Sequence, residues 1–181
     1  MIFETGVKID QKRARILFKL AADQGHHIAQ CNLAIMYKKG EGVNQSDTLC
    51  FKYEKLSADQ GYADAQFNVG VSYRDGTGVE QSDSEAFKYF ELAADQGNRH
   101  AQYNLGCKYS KGQGVIQSDA LALKYWTVSA EGGHAQAQFN LGMYYANGSG
   151  VTQSFVQARE WWTKASEQGD ASAIKNLKRL D

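Results

Sequence analysis

The sequence predicts an all-α fold, a solenoid of antiparallel helix pairs, and three observations carry that expectation. The chain repeats itself every 36 residues without an insertion: Gly25, Gly61, Gly97, Gly133 and Gly169 fall in one column. Each period holds two stretches with apolar residues at helical spacing. Between those stretches recurs a Gly-x-Gly-Val block, at Gly40/Gly42/Val43, Gly76/Gly78/Val79, Gly112/Gly114/Val115 and Gly148/Gly150/Val151. A helical hairpin of this length cannot bury its own apolar stripe, so each hairpin must stack on its neighbours, and one globular core is not expected.

Taken in order, the first element is a lone second helix within residues 1–25, the tail of a truncated repeat whose remnant block is Gly6-Val7. It mixes Lys12, Arg13, Arg15 and Lys19 with Ile16, Leu17, Phe18 and Leu20, and no helix precedes it, so this edge reads as a cut or a contact surface. Four full repeats follow, 26–61, 62–97, 98–133 and 134–169. In their first helices Ala65, Val69 and Tyr73 recur at i, i+4 and i+8, and Ala101, Leu105, Tyr109 and Ala137, Leu141, Tyr145 hold the same columns. Gly70, Gly106 and Gly142 lie inside these helices, where Gly costs about 1 kcal/mol against Ala; their recurrence points to a close contact that a β-carbon would block, and Ala34 fills the column in the first full repeat.

Second helices open at Ser46, Ser82, Ser118 and Ser154, whose hydroxyls suit the N-cap, and Ser82-Asp83-Ser84-Glu85 has capping-box form. Their core faces are Ala86, Tyr89, Phe90, Ala93, Ala94, then Ala122, Tyr125, Trp126, Ser129, Ala130, then Ala158, Trp161, Trp162, Ala165, Ser166. Gly97 and its equivalents close them in the left-handed conformation. The last helix, expected over Asp170–Leu180 within 170–181, carries Lys175 and Lys178 where earlier repeats are aromatic or glycine, a C-terminal cap with a polar outer face.

Composition excludes several function classes. Twenty Lys and Arg balance twenty Asp and Glu, leaving no basic surplus for a nucleic-acid backbone. No apolar run approaches the roughly 18–20 residues of a membrane span, and Met1 to Arg15 has no apolar stretch like that of a signal peptide. Cys31, Cys50 and Cys107, odd in number and irregular in spacing, form neither a disulfide framework nor a zinc set; a reducing, cytoplasmic setting is expected.

The columns Ala-Gln-x-Asn-Leu-Gly-x-x-Tyr-x-x-Gly-x-Gly-Val, Gln-Ser-Asp-x-x-x-Ala-x-x-Tyr and Ala-Ala-Asp-Gln-Gly resemble the Sel1-like repeat (SLR) family, related to tetratricopeptide solenoids, over essentially the whole chain. The Gly-x-Gly-Val loop separates it from tetratricopeptide repeats, which have a shorter turn and a proline that is missing here. The resemblance implies a right-handed α/α superhelix and a role as scaffold or adaptor for other proteins, in a family spanning bacterial signalling and virulence factors and eukaryotic quality-control adaptors. In its cysteine-rich bacterial branch a Cys ending each second helix pairs with one early in the next first helix. Those columns here hold Ala22 and Gln30, Ala58 and Gln66, Ala94 and Gln102, which excludes the disulfide branch.

Chemistry-bearing residues do not converge in the sequence. His26, His27, His100 and His134 fall in inter-repeat turns without helical i, i+4 partners and read as solvent-exposed, so no metal site is expected. The Gly-x-Gly-Val blocks lack the Gly-Lys-Ser/Thr of a phosphate loop and read as helix-ending turns. Asp47, Asp83 and Asp119 open second helices, where they suit the helix dipole, and Asp23, Asp59 and Asp95 end them. The cysteines read as small apolar fillers. A non-enzyme without cofactors is expected; the β-lactam binding associated with the cysteine-rich branch is the enzymatic alternative.

Binding is what the periodicity favours. First helices should line a concave groove, and the positions two beyond the core stripe should point into it: Cys31, Ile35, Lys38; Phe67, Val71, Arg74; Tyr103, Cys107, Ser110; Phe139, Met143, Ala146. By resemblance to tetratricopeptide solenoids the same columns carry ligand contacts, and Asn32, Asn68, Asn104 and Asn140 can bond an extended peptide's backbone. Alternatively the aromatics pack between adjacent first helices and each Asn ties its own helix to a neighbouring loop. The expected partner is a protein or peptide, with no nucleic acid and no membrane. The chain is expected to be a monomer or a weak end-to-end oligomer, and a self-assembling solenoid that stacks through its N-terminal edge is the structural alternative.

Overall fold

The computed structural model describes residues 11–180, and within them the chain is helical throughout with no strand. The Gly6-Val7 remnant lies outside the described residues. Two compact units divide the chain at Gln81 and Ser82. The first holds α1 (Gln11–Asp23), α2 (His27–Lys39), α3 (Asp47–Ala58) and α4 (Ala63–Asp75). The second holds α5 (Asp83–Asp95), α6 (Arg99–Lys111), α7 (Asp119–Glu131), α8 (Ala135–Asn147), α9 (Phe155–Glu167) and α10 (Ala171–Leu177). Within each unit the main helix contacts join sequence neighbours, as hairpin stacking requires.

Local chemistry sets the helix ends. Ser46, Ser82, Ser118 and Ser154 each accept a hydrogen bond from the backbone N–H three residues on, the N-cap expected of them. First helices stop at Gly40, Gly76, Gly112 and Gly148, which are left-handed, so the Gly-x-Gly-Val blocks are helix-ending turns. α10 is shorter than expected. Its N-cap Asp170 accepts from Ala173 N, but beyond Leu177 the backbone closes in tighter turns, Arg179 N to Asn176 O and Leu180 N to Leu177 O. Nor is this end wholly polar, because Phe155, Val156 and Ile174 are exposed.

In the second unit the glycines inside first helices meet indoles. A β-carbon on Gly106 would collide with the Trp126 ring, and one on Gly142 with that of Trp162. Each indole, seated this close, donates its N–H to the first-helix backbone: Trp126 to Tyr103 O at 3.1 Å, Trp162 to Phe139 O at 3.2 Å. Around them lie buried Ala122, Ala130, Ala137 and Leu141, then Ala158, Ala165 and Ala173. The first unit has its own cluster of Ala22, Ala29, Leu33, Ala34, Met36, Cys50 and Tyr53.

Successive hairpins are joined by a polar seam that the apolar pattern does not show. Gln30, Gln66, Gln102 and Gln138 are all buried, and each donates from its side-chain amide to the carbonyl of the residue eight before it, Ala22, Ala58, Ala94 and Ala130, at 3.1–3.4 Å. Buried amides need such partners, since an unmet one costs about 1–3 kcal/mol. Gln60 and Gln168 extend the seam by donating to the side-chain oxygens of Gln30 and Gln138, each at 2.8 Å.

Candidate functional site

Three residues expected to face a ligand, Lys38 at the end of α2 and Asn68 and Val71 on α4, meet at one cavity of about 200 Å³ in the first unit. Its remaining walls are Asp47, Cys50 and Glu54 from α3, Ser72 and Asp75 from α4, and Thr77 in the following turn. Glu54 marks where this repeat departs from the others. Its column holds Phe90, Trp126 and Trp162 elsewhere, all buried, yet Glu54 is itself only 8% exposed.

Burial pushes the Glu54 carboxyl above its ordinary range; the Lys38 ammonium, the Cys50 thiol and the Asn68 amide pull the other way. Burial, aided by Glu54, pushes the Cys50 thiol up to about 12, so it stays protonated and is no nucleophile at neutral pH. Asp75 is engaged by the Arg74 guanidinium in two bonds, Nε to Oδ1 at 2.7 Å and Nη2 to Oδ2 at 2.8 Å.

The other expected ligand-facing residues are dispersed. Asn32 and Ile35 line a separate hollow of about 230 Å³ with Phe18 and Met36, and the Cys31 thiol lies 3.3 Å from the Ser57 hydroxyl. Phe67 is half-buried. In the second unit Tyr103 and Cys107 pack against the Trp126 and Leu141 cluster, and Phe139, Met143 and Ala146 against that of Trp162 and Ala173. Ser110 donates to the Cys107 carbonyl at 3.0 Å, and Asn104 is buried and donates to His100 O in its own helix at 2.8 Å. Asn140 is half-buried.

The expectation that all four histidines are exposed needs correction. His26 and His100 are exposed, but His27 stacks on Tyr62 with ring centroids 3.3 Å apart, and half-buried His134 stacks on Tyr103 at 4.5 Å. A ring at the start of a first helix lies beside an aromatic of the adjoining repeat, and stacking removes it from water. Burial, then the neighbouring His100 and Arg99 charges, depresses His134 to about 4. Its neutral Nδ1 accepts from Ala137 N, capping α8. Among the described residues no group of His, Cys, Asp and Glu could hold a metal ion.

Asp47, Glu54 and Ser72 line the cavity without belonging to the expected ligand-facing columns. In the second unit Lys108 reaches back from α6 to pair with Asp83 at the start of α5, and Tyr144 reaches back from α8 to donate to Asp119 Oδ1 at 3.0 Å. Ser72 holds that same column in α4 and lines the cavity beside Asp47. The signal was present as a break in the columns, which a search for shared residues passes over.

Known proteins share this repeat architecture. The chain is similar to a protective antigen of uropathogenic Escherichia coli displaying an SLR fold, at 35% identity and TM-score 0.89 over 93% of this chain and 36% of that one. It thus spans about a third of the antigen's length. It is also similar to a Sel1 repeat protein from Oxalobacter formigenes, at 30% identity and TM-score 0.86, covering 91% of this chain and 68% of that one. Helicobacter pylori cysteine rich protein B shares the fold at 20% identity and TM-score 0.55, covering 74% of this chain and 96% of that one. No curated protein sequence matches the chain. The Sel1 repeat profile matches five times, at 1–26, 27–62, 63–98, 99–134 and 135–170, so the chain belongs to the Sel1 repeat family and its fold is that family's all-α repeat solenoid.

Proposed function

We propose that this chain is a non-catalytic scaffold that holds a peptide or helix of a partner protein along its first helices. Sel1 repeat proteins generally serve as protein-interaction scaffolds and typically lack catalysis. The observation that carries the reading is the meeting of Lys38, Asn68 and Val71 at one open cavity. Columns 35/71/107/143 and 38/74/110/146 change character from repeat to repeat, as a ligand-facing surface would. The three free cysteines fit a reducing compartment, and among the described residues no helix is long and apolar enough to cross a membrane.

Peptides selected from a displayed library against the intact chain test the reading, with a Lys38→Glu/Val71→Lys variant as the control. Lys38 is exposed and Val71 only half-buried, so the variant should keep its helical spectrum and bind selected peptides about tenfold or more weakly. Retention of full affinity for every selected peptide would move the binding face off the first helices. A second reading, end-to-end self-association, is favoured by Ile16, Leu17 and Leu20, all exposed on α1.

A further inference from the structure

We propose that the cavity between α3 and α4 receives a primary ammonium group, that of a lysine side chain on the bound partner segment, with Asp47 as its anchoring carboxylate. The proposal rests on the scaffold reading and adds the chemistry of the partner.

The second unit shows what fills the equivalent place. Lys108 is 3% exposed, and its ammonium pairs with Asp83 at the start of the preceding second helix. Tyr144 makes the corresponding hydroxyl bond to Asp119. In the first unit Asp47 holds the aspartate column, but the side chain that should reach back is Ser72, several bonds shorter than lysine or tyrosine. No side-chain bond joins Ser72 to Asp47, and the space lies open as the cavity of about 200 Å³. The aromatic that occupies the second-helix column elsewhere is replaced by Glu54, so the wall that would be an aromatic ring is carboxylate.

Charge narrows the guest further. Three carboxylates line the cavity, and two already face cations: Asp75 is held by Arg74, and Glu54 faces the Lys38 ammonium. Asp47 is left without a cation among the described residues, so the cavity has room for one further positive charge. An ammonium brings three donors and no acceptor. The acceptors offered are the carboxylates of Asp47 and Glu54 and the hydroxyls of Ser72 and Thr77, while Val71 gives the methylene stem an apolar wall. A guanidinium's planar fork pairs best with a carboxylate that offers both oxygens, and Asp75 already gives both of its own to Arg74.

The test is a titration of the isotope-labelled chain, followed through the amide signals of Asn68, Ser72 and Thr77. The ligands are a short glycine-flanked lysine peptide, its Nε-acetylated form, and n-butylamine as a free amine. Saturable shifts are expected with the lysine peptide, no saturation with the acetylated one, and affinity for butylamine about tenfold weaker than for the peptide. Asp47→Asn should weaken the peptide about tenfold or more. Ser72→Lys, which supplies the chain's own ammonium as Lys108 does, should abolish binding and raise the thermal midpoint. Equal response to both peptides, or unaltered binding by either variant, overturns the proposal; butylamine binding as tightly as the peptide would replace the partner lysine with a small amine. Library peptides that bind through Lys38 and Val71 but lack lysine would leave the scaffold reading intact and sink this one alone.

Discussion

A β-carbon on Gly106 would meet the Trp126 indole, so Gly106→Ala sets a helix-propensity gain of about 1 kcal/mol against overpacking that costs about 1–3 kcal/mol. Net destabilisation in urea is the expected outcome, and the opposite change, Ala34→Gly, should cost about 1 kcal/mol because the following helix there presents Glu54 in place of an indole. His134 makes a second test. Its folded pKa of about 4 lies below the ordinary 6.5, so the fold prefers the neutral ring. The stability it contributes is full above pH 6.5 and is lost as the pH falls toward 4. His134→Asn should keep the cap, since Asn98 makes the same bond to Ala101 N, and should flatten the pH dependence of the denaturation midpoint over that window. The close approach at Gly106 was legible because a glycine recurs inside a helix. The burial of His134 was not, because Tyr103 lies 31 positions away and nothing in the histidine's own surroundings announces the stack.

Helices in this chain are joined by different chemistry inside a repeat and between repeats. Inside, Trp126 and Trp162 lie on the glycines of the preceding helix; between, carboxylates and amides reach across. Asp83→Asn should therefore strand a buried ammonium and destabilise the second unit by about 1.5–3 kcal/mol, whereas Lys108→Met removes the charge along with its desolvation and should cost less. Chemical denaturation of the two variants gives that order; the reverse order would mean that Lys108 acts through its methylene stem. Serine caps and glycine stops were read directly, because a helix end has few residue choices. The glutamine column was read only as an absence of cysteine. Its function lies in a bond to a main-chain carbonyl, and a carbonyl has no letter in the sequence.

For the whole molecule, zero formal charge and a pI near 6.9 leave little electrostatic repulsion between copies near neutral pH, while Ile16, Leu17 and Leu20 stand exposed. If α1 is a stacking edge, the sedimentation coefficient should rise with concentration at pH 7 and become constant in a Leu17→Lys/Leu20→Lys variant; a constant value in the unaltered chain removes that reading. The period and the fold class were plain in the sequence because a solenoid writes its architecture into every repeat. The candidate site was legible only in part: Lys38, Asn68 and Val71 lie in the ligand-facing columns, whereas Glu54 and Ser72 break the repeat pattern and share their character with no other repeat. The glutamine seam has a further consequence. Its amide addresses a backbone oxygen, which every predecessor offers whatever its side chains, so this part of the joint makes no demand on the preceding hairpin's sequence. Gene duplication can then lengthen such an array while reusing the same amide joint at each new boundary.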